Sequence, residues 1–374
     1  MSERGIQRVT GQSLSDVGLD VSDLGALELT FKGESIPLDI RDGNGNGRLD
    51  ANDTVRFYAP GVGDYWNQDE VYWLSDQGSK PLVMTVRNVA PDSAPLRGSA
   101  VEQGIWHNNS VYDPEWPGAD GNHWFAQRMS VTPGMQGNSQ DYPRLVATPD
   151  IKLTTVPGKS TITPTLTLVQ QVAEYELRVI AGETKRLTLT PQEAVGLDSL
   201  WTPSTDVLEP FSTIELVLMP TDSNGTVMVD SIAWSVPVVL DFSDGGSWFS
   251  GVPGTWRYGL ANLPNDATLY DITNPIRPVR LVGVGNDTFE DGPFSRQYIV
   301  AGTSDLHTPE IEAHEPVVFS ASSGADAIYI APQAFFEELE PLMAHRRMQG
   351  YQVELVDVQD IYDGWGFGHV APEA

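Results

Sequence analysis

Within the run Asp42-Gly43-Asn44-Gly45-Asn46-Gly47-Arg48-Leu49-Asp50-Ala51-Asn52-Asp53, oxygen-bearing side chains recur at the spacing with which a short loop wraps a hard cation. Asp42, Asn44 and Asn46 hold positions 1, 3 and 5 of the run, and Asp50 and Asp53 hold positions 9 and 12. Gly47, at position 6, permits the sharp turn that lets Arg48 offer its backbone carbonyl. Hard oxygens in that order suit Ca²⁺, and the pattern is that of an EF-hand loop. A Gly/Asn turn with solvated acids has a similar composition. The number of matched positions favours the ion-binding reading.

The loop must be held by its neighbours. Leu49 is the apolar residue placed to anchor it to a core. The segment Ser35-Ile36-Pro37-Leu38-Asp39-Ile40 reads as an entering strand and Thr54 to Ala59 as a leaving one, so an isolated loop is predicted rather than a helix-flanked pair. Asp53 stands where the helix-flanked loop usually has Glu, as in dockerin-like variants. The expected role is structural, with an affinity of about 10⁻⁴–10⁻³ M. Further upstream, Ile6–Thr10 and Leu27–Phe31 alternate as strands, and Ser13 is placed to cap a short helix.

Other chemistry-bearing residues are less organised. His123 lies near Asp113, Glu115 and Asp120, without the paired-His spacing of a zinc site. Pro91–Asp120 reads as irregular, with Trp106, His107, Trp116 and Trp124 in or near it; these aromatics could stack on sugar rings, though covering a sheet edge is the plainer reading. Asp357, Asp360 and Asp363 follow a strand near the C-terminal end and could hold a cation or shape a pocket; solvated acids are the ordinary alternative. The chain has no Gly-rich phosphate loop and no Ser-centred elbow.

Ala327–Ala331 reads as a buried strand. The apolar residues Phe335, Phe336, Leu339, Leu342 and Met343 then return at helical spacing. Pro341 predicts a kink or a fresh helix start, and Gly350 a stop after the basic turn His345-Arg346-Arg347. Tyr351–Val358 alternates and is a second strand. Together these predict a βαβ unit and the start of a parallel sheet.

The run AIYIAPQAFFEELEPLMAHRRMQGYQVELVDVQDIYDGWGFG resembles the opening of the catalytic domain in gingipain-type cysteine peptidases. YDITNPIRPVRLVG, VYWLSD and GNHWFAQRM resemble β-rich regions that precede this domain in secreted relatives. The resemblance implies a caspase-like α/β fold, a protein or peptide substrate, a Cys nucleophile and a His in a Gly-His-Gly-like segment. The sequence has Cys 0, and His107, His123, His307, His314, His345 and His369 lie in no such segment. Without a thiolate this chain cannot perform the family's reaction.

Composition sets outer bounds. Lys+Arg 22 against Asp+Glu 51 gives a net charge of −29 over 374 residues, which argues against nucleic acid or anionic membrane as partners. No stretch is long and apolar enough to be a membrane-spanning helix. The N-terminus carries no signal-peptide pattern: either a leader is missing because this is a fragment, or the protein stays inside, and the ending just after a βαβ unit favours the expectation of a fragment.

The expected fold is mainly β with a C-terminal α/β fragment. The expected domains are a small β-rich one over 1–90, a jelly-roll-like β-sandwich over 91–241, a small β domain and hinge over 242–320, and the α/β start over 325–374. Two functions remain open from sequence. One is the N-terminal portion of an exported gingipain-like endopeptidase, whose β-domains serve as prodomain or as substrate and surface adaptor. The other is a non-catalytic, Ca²⁺-stabilised adhesion protein whose modules bind cell-surface glycans.

Overall fold

The structure, a computed structural model, describes residues 3–370 except 20, 62–66, 68, 79–80, 117–122, 133, 136–140, 169–174, 182, 190–199, 221–223, 286 and 316–323. Asp120 and most of the expected hinge, Ser320–Ser323, lie outside the described residues. The fold is mainly β with a C-terminal α/β element, in two compact units. One comprises 1–87, 272–280 and 303–374; the other comprises 88–271 and 281–302.

The first unit begins with β1 (Gly5–Thr10), followed at once by α1 (Gly11–Asp16). Thr10, not Ser13, is the N-cap: its hydroxyl accepts from the Ser13 amide while Ser13 Oγ accepts from the Thr10 amide, a capping box. Ser13 was the visible polar residue, but the cap is the last strand residue. β2 (Glu28–Phe31), β3 (Glu34–Ile36), β4 (Asp39–Arg41), β5 (Thr54–Ala59) and β6 (Tyr72–Ser75) complete two small antiparallel sheets, ordered β1-β5-β4 and β3-β2-β6. The single strand expected over Ser35–Ile40 is therefore two. Pro37 has no N–H to give a ladder, and the chain changes sheets there. Val9, Leu14, Leu27, Leu29, Ile36, Leu38, Leu49, Val55 and Phe57 form the core between them.

In the second unit, β7 (Ser99–His107), β8 (Gln127–Val131), β9 (Arg144–Ala147), β10 (Ser160–Leu168), β11 (Tyr175–Ala181), β12 (Glu183–Leu189), β13 (Ile214–Met219) and β14 (Gly225–Val239) come first. β15 (Trp248–Ser250), β16 (Thr268–Asp271) and β17 (Gln297–Ala301) follow. One sheet runs β10-β14-β7-β15-β17-β16, and a second runs β9-β13-β11-β12. The expected boundary at 241 falls inside the first sheet, which takes strands from both sides of it. Asn224-Gly225 is no hairpin turn, because β13 and β14 lie in different sheets.

β7 corrects a larger expectation, since it lies in the stretch read as irregular. It pairs with β14 from Ser99↔Val239 to His107↔Ser231. Its pattern was hidden by Glu102, a fully buried carboxylate that accepts from the Lys152 and Leu153 amides at 2.8 and 2.9 Å. Burial holds that carboxyl above the usual range in spite of the two hydrogen bonds.

The first unit closes with β18 (Ala327–Ala331), α2 (Phe336–Met348), β19 (Val353–Asp357) and α3 (Val358–Trp365). β18 and β19 pair in parallel, Ala327↔Val353 to Ala331↔Asp357, as the βαβ reading predicts. α2 runs through Pro341 without a second start. Gly350, at φ 92°, ends it: its amide reaches Arg347 O at 3.0 Å and the Tyr351 amide reaches Arg346 O at 3.2 Å. These are the two bonds of a Schellman motif. Among the described residues no helix is long and apolar enough to cross a membrane.

Candidate functional site

The Asp42–Asp53 run closes on itself through side chains that accept backbone protons. Asp42 accepts from the amides of Asn44, Gly45 and Gly47 at 3.2, 2.7 and 2.9 Å. Asn44 Oδ1 accepts from the Asn46 amide at 3.0 Å, and Asn46 Oδ1 from the Arg48 amide at 2.8 Å. Asp53 accepts from the Gly43 and Asp50 amides, both at 2.9 Å, so the two ends meet. Asp50 Oδ2 receives the side-chain amides of Asn44 and Asn46 at 2.6 and 3.1 Å. Gly45 and Gly47 stand at φ 69° and 78°, which supplies the turn.

The Gly47 amide, with those of Gly45, Asn46 and Asn44, holds the Asp42 carboxyl below the usual aspartate range. Leu49, 2% exposed, anchors the loop in the core. Its amide donates to Val21 O at 3.0 Å, and the Leu24 amide donates to Gly47 O at 3.1 Å. On the other side the Gly11 amide donates to Asp53 O at 3.0 Å and the Gln12 amide to Ala51 O at 3.2 Å. All six sequence-predicted ligands therefore sit in one short loop, between β4 and β5. Among the described residues no three His, Cys, Asp or Glu side chains form a metal-holding group.

Three of the remaining candidate acids make structural contacts. Asp357 caps α3 by accepting from the Gln359 amide at 3.0 Å, and Asp363 accepts from Gln359 Nε2 at 2.9 Å and lies 3.5 Å from His314. Asp113 pairs with Arg128 at 3.3 Å, and His123 Nδ1 sits 3.0 Å from Trp116 O.

Around the parallel pair, one sheet face is uncovered: Ile328 and Ile330 are 59% and 58% exposed. Met343 is the one buried residue of α2. Sequence reading missed a further contact, made by the segment after α3. His369 is buried against Phe31, with ring centroids 5.6 Å apart. A lone His after a Gly-rich turn carried no signal for this.

Residues 320–374 match the family model described as Peptidase family C25. The fold is similar to that of dimeric latent PorU from Porphyromonas gingivalis, with TM-score 0.64 and 16% sequence identity. That match covers 98% of this chain and 37% of PorU, so the chain spans little over a third of its relative. The CBM22-1 xylan-binding domain from Paenibacillus barcinonensis matches at TM-score 0.20 and 15% identity, over 38% of this chain and 88% of that one. A value that low supports no inference about sugars. No curated protein matches the chain. The C-terminal segment thus matches the model of Peptidase family C25, and the fold is similar to that of PorU.

Proposed function

We propose that the chain is the N-terminal portion of an exported cysteine endopeptidase that acts on protein or peptide substrates. The observation that supports this is the parallel β18–α2–β19 unit lying inside the 320–374 family match. An α/β sheet is normally covered on both faces, and the bare Ile328 and Ile330 face fits a unit that further strands and helices complete. The chain has Cys 0, so the thiolate nucleophile and its His base must come from elsewhere in a longer polypeptide. The β-rich regions then serve as prodomain or as substrate and surface adaptor.

The test uses the longer gene product. Peptide cleavage in reductant that is abolished by thiol alkylation is the expected result. A product that cleaves no peptide with reductant and Ca²⁺ present would overturn the assignment.

The Asp42–Asp53 loop, in the same reading, holds a structural Ca²⁺. Its donors are hard oxygens: the carboxylates of Asp42, Asp50 and Asp53, the amide oxygens of Asn44 and Asn46, and the Arg48 carbonyl. Bound there, the ion would neutralise repulsion among three carboxylates and tie the loop ends together.

A further inference from the structure

The turn after α3 is seated on the N-terminal β region by contacts from both its backbone and its side chains. The Trp73 indole N–H donates to Phe367 O at 2.9 Å. Asn67 makes a two-way pair with Val370: its Oδ1 accepts from the Val370 amide at 2.7 Å and its Nδ2 donates to Val370 O at 3.0 Å. The Val71 amide donates to His369 Nε2 at 3.3 Å, and His369 Nδ1 lies 3.2 Å from Phe367 O. That places the ring proton on Nδ1 and orients both sides of the imidazole.

The fit leaves no spare room. A Cβ on Gly368, at φ 84°, would lie 2.6 Å from Val71 Cγ1 and 3.2 Å from the Trp73 ring. One on Gly33 would lie 2.8 Å from the Phe367 ring. Side chains at those two places are excluded by backbone conformation and by contact at once. By contrast the α/β segment has little packing of its own. Among its described residues only Ala331, Met343 and His369 are buried, and His369 is buried by the N-terminal region.

We propose that the groove lined by Phe31, Asn67, Val71 and Trp73 is a docking site for the Phe367–Val370 turn, and that this docking keeps β19 and α3 in place. The partner it fits is a short Phe-Gly-His-Val segment, read through its backbone and through the small size of its glycine.

Hydrogen exchange on the 374-residue chain tests it. Gly368→Val should raise exchange of the Val71 and Val370 amides and of strand 353–357 at least about tenfold, while strand 54–59 keeps its protection. Trp73→Phe and Asn67→Ala, which remove one donor or one two-way pair and little volume, should each act in the same direction by a few-fold. They decide the matter if Gly368→Val fails to fold. A turn that exchanges no faster in these two variants would overturn the docking. A freed turn beside an unchanged strand 353–357 would overturn the claim that docking holds the segment.

Discussion

The Asp42–Asp53 loop and the β18–α2–β19 unit are both positioned by the first unit's β region, yet they depend on it in opposite ways. The loop makes its own hydrogen bonds, closes its own ends and sends one apolar residue, Leu49, into a core built by others. The parallel unit has regular elements and well-formed ends, but Ile328, Ile330, Phe335 and Leu342 remain exposed. A short polar loop can satisfy its backbone within a few residues. A parallel pair reaches its full burial only when other layers cover it. Local chemistry therefore completes the first, and distant partners must complete the second.

Truncating the single anchor of each region gives the largest expected contrast. Leu49→Ala should cost about 2–5 kcal/mol in chemical denaturation, because it empties a core position. Met343→Ala, at the one buried residue of its helix, should cost about 2 kcal/mol. Equal losses would remove the distinction between the two regions.

Calcium comes next in size. With a Kd of about 10⁻⁴–10⁻³ M, about 10 mM Ca²⁺ should stabilise the chain by about 1.4–2.7 kcal/mol by mass action. Melting curves that coincide in Ca²⁺ and in EGTA would leave the loop a plain turn.

Gly350→Ala should cost about 1 kcal/mol, the price of a left-handed residue with a Cβ. Exchange at the Tyr351 amide is the readout, since it closes the Schellman motif. Gly47→Ala carries a similar strain and should in addition weaken the Ca²⁺ response, which separates the two glycines.

The smallest effect is one of pH. Asp42 has its carboxyl held below the usual range by loop amides, so its ionised form favours the folded loop. That contribution is fully present above the ordinary aspartate pKa and is lost as pH falls through the lowered one. Asp42→Asn should flatten the acid limb of a stability-against-pH curve measured without Ca²⁺. An unchanged limb would remove Asp42 from the account.

Legibility followed the range of the interactions. The turn of the loop and its Leu49 anchor were readable, because Gly, Asn and Asp spacing within one run sets its local geometry. The βαβ unit was readable from helical and strand periodicity, and Gly350 from its place after a basic turn. Ser35–Ile40 was misread because Pro37 looks harmless in a strand until the two halves are seen to pair with different partners. β7 was missed because Glu102 broke the apolar pattern, and only the Lys152 and Leu153 amides make its burial tolerable.

By itself the sequence determined most of the local elements: which residues turn in the Asp42–Asp53 run, and which alternate or return at helical spacing in the βαβ unit. Tertiary structure decided the company they keep. It merged strands from both sides of residue 241 into one sheet, and it laid the turn after α3 on Trp73 and Asn67. The physical reason is that propensity and periodicity act over a few neighbours in the chain. Burial of Glu102 or His369 depends on groups far along the chain, whose presence no local pattern can encode.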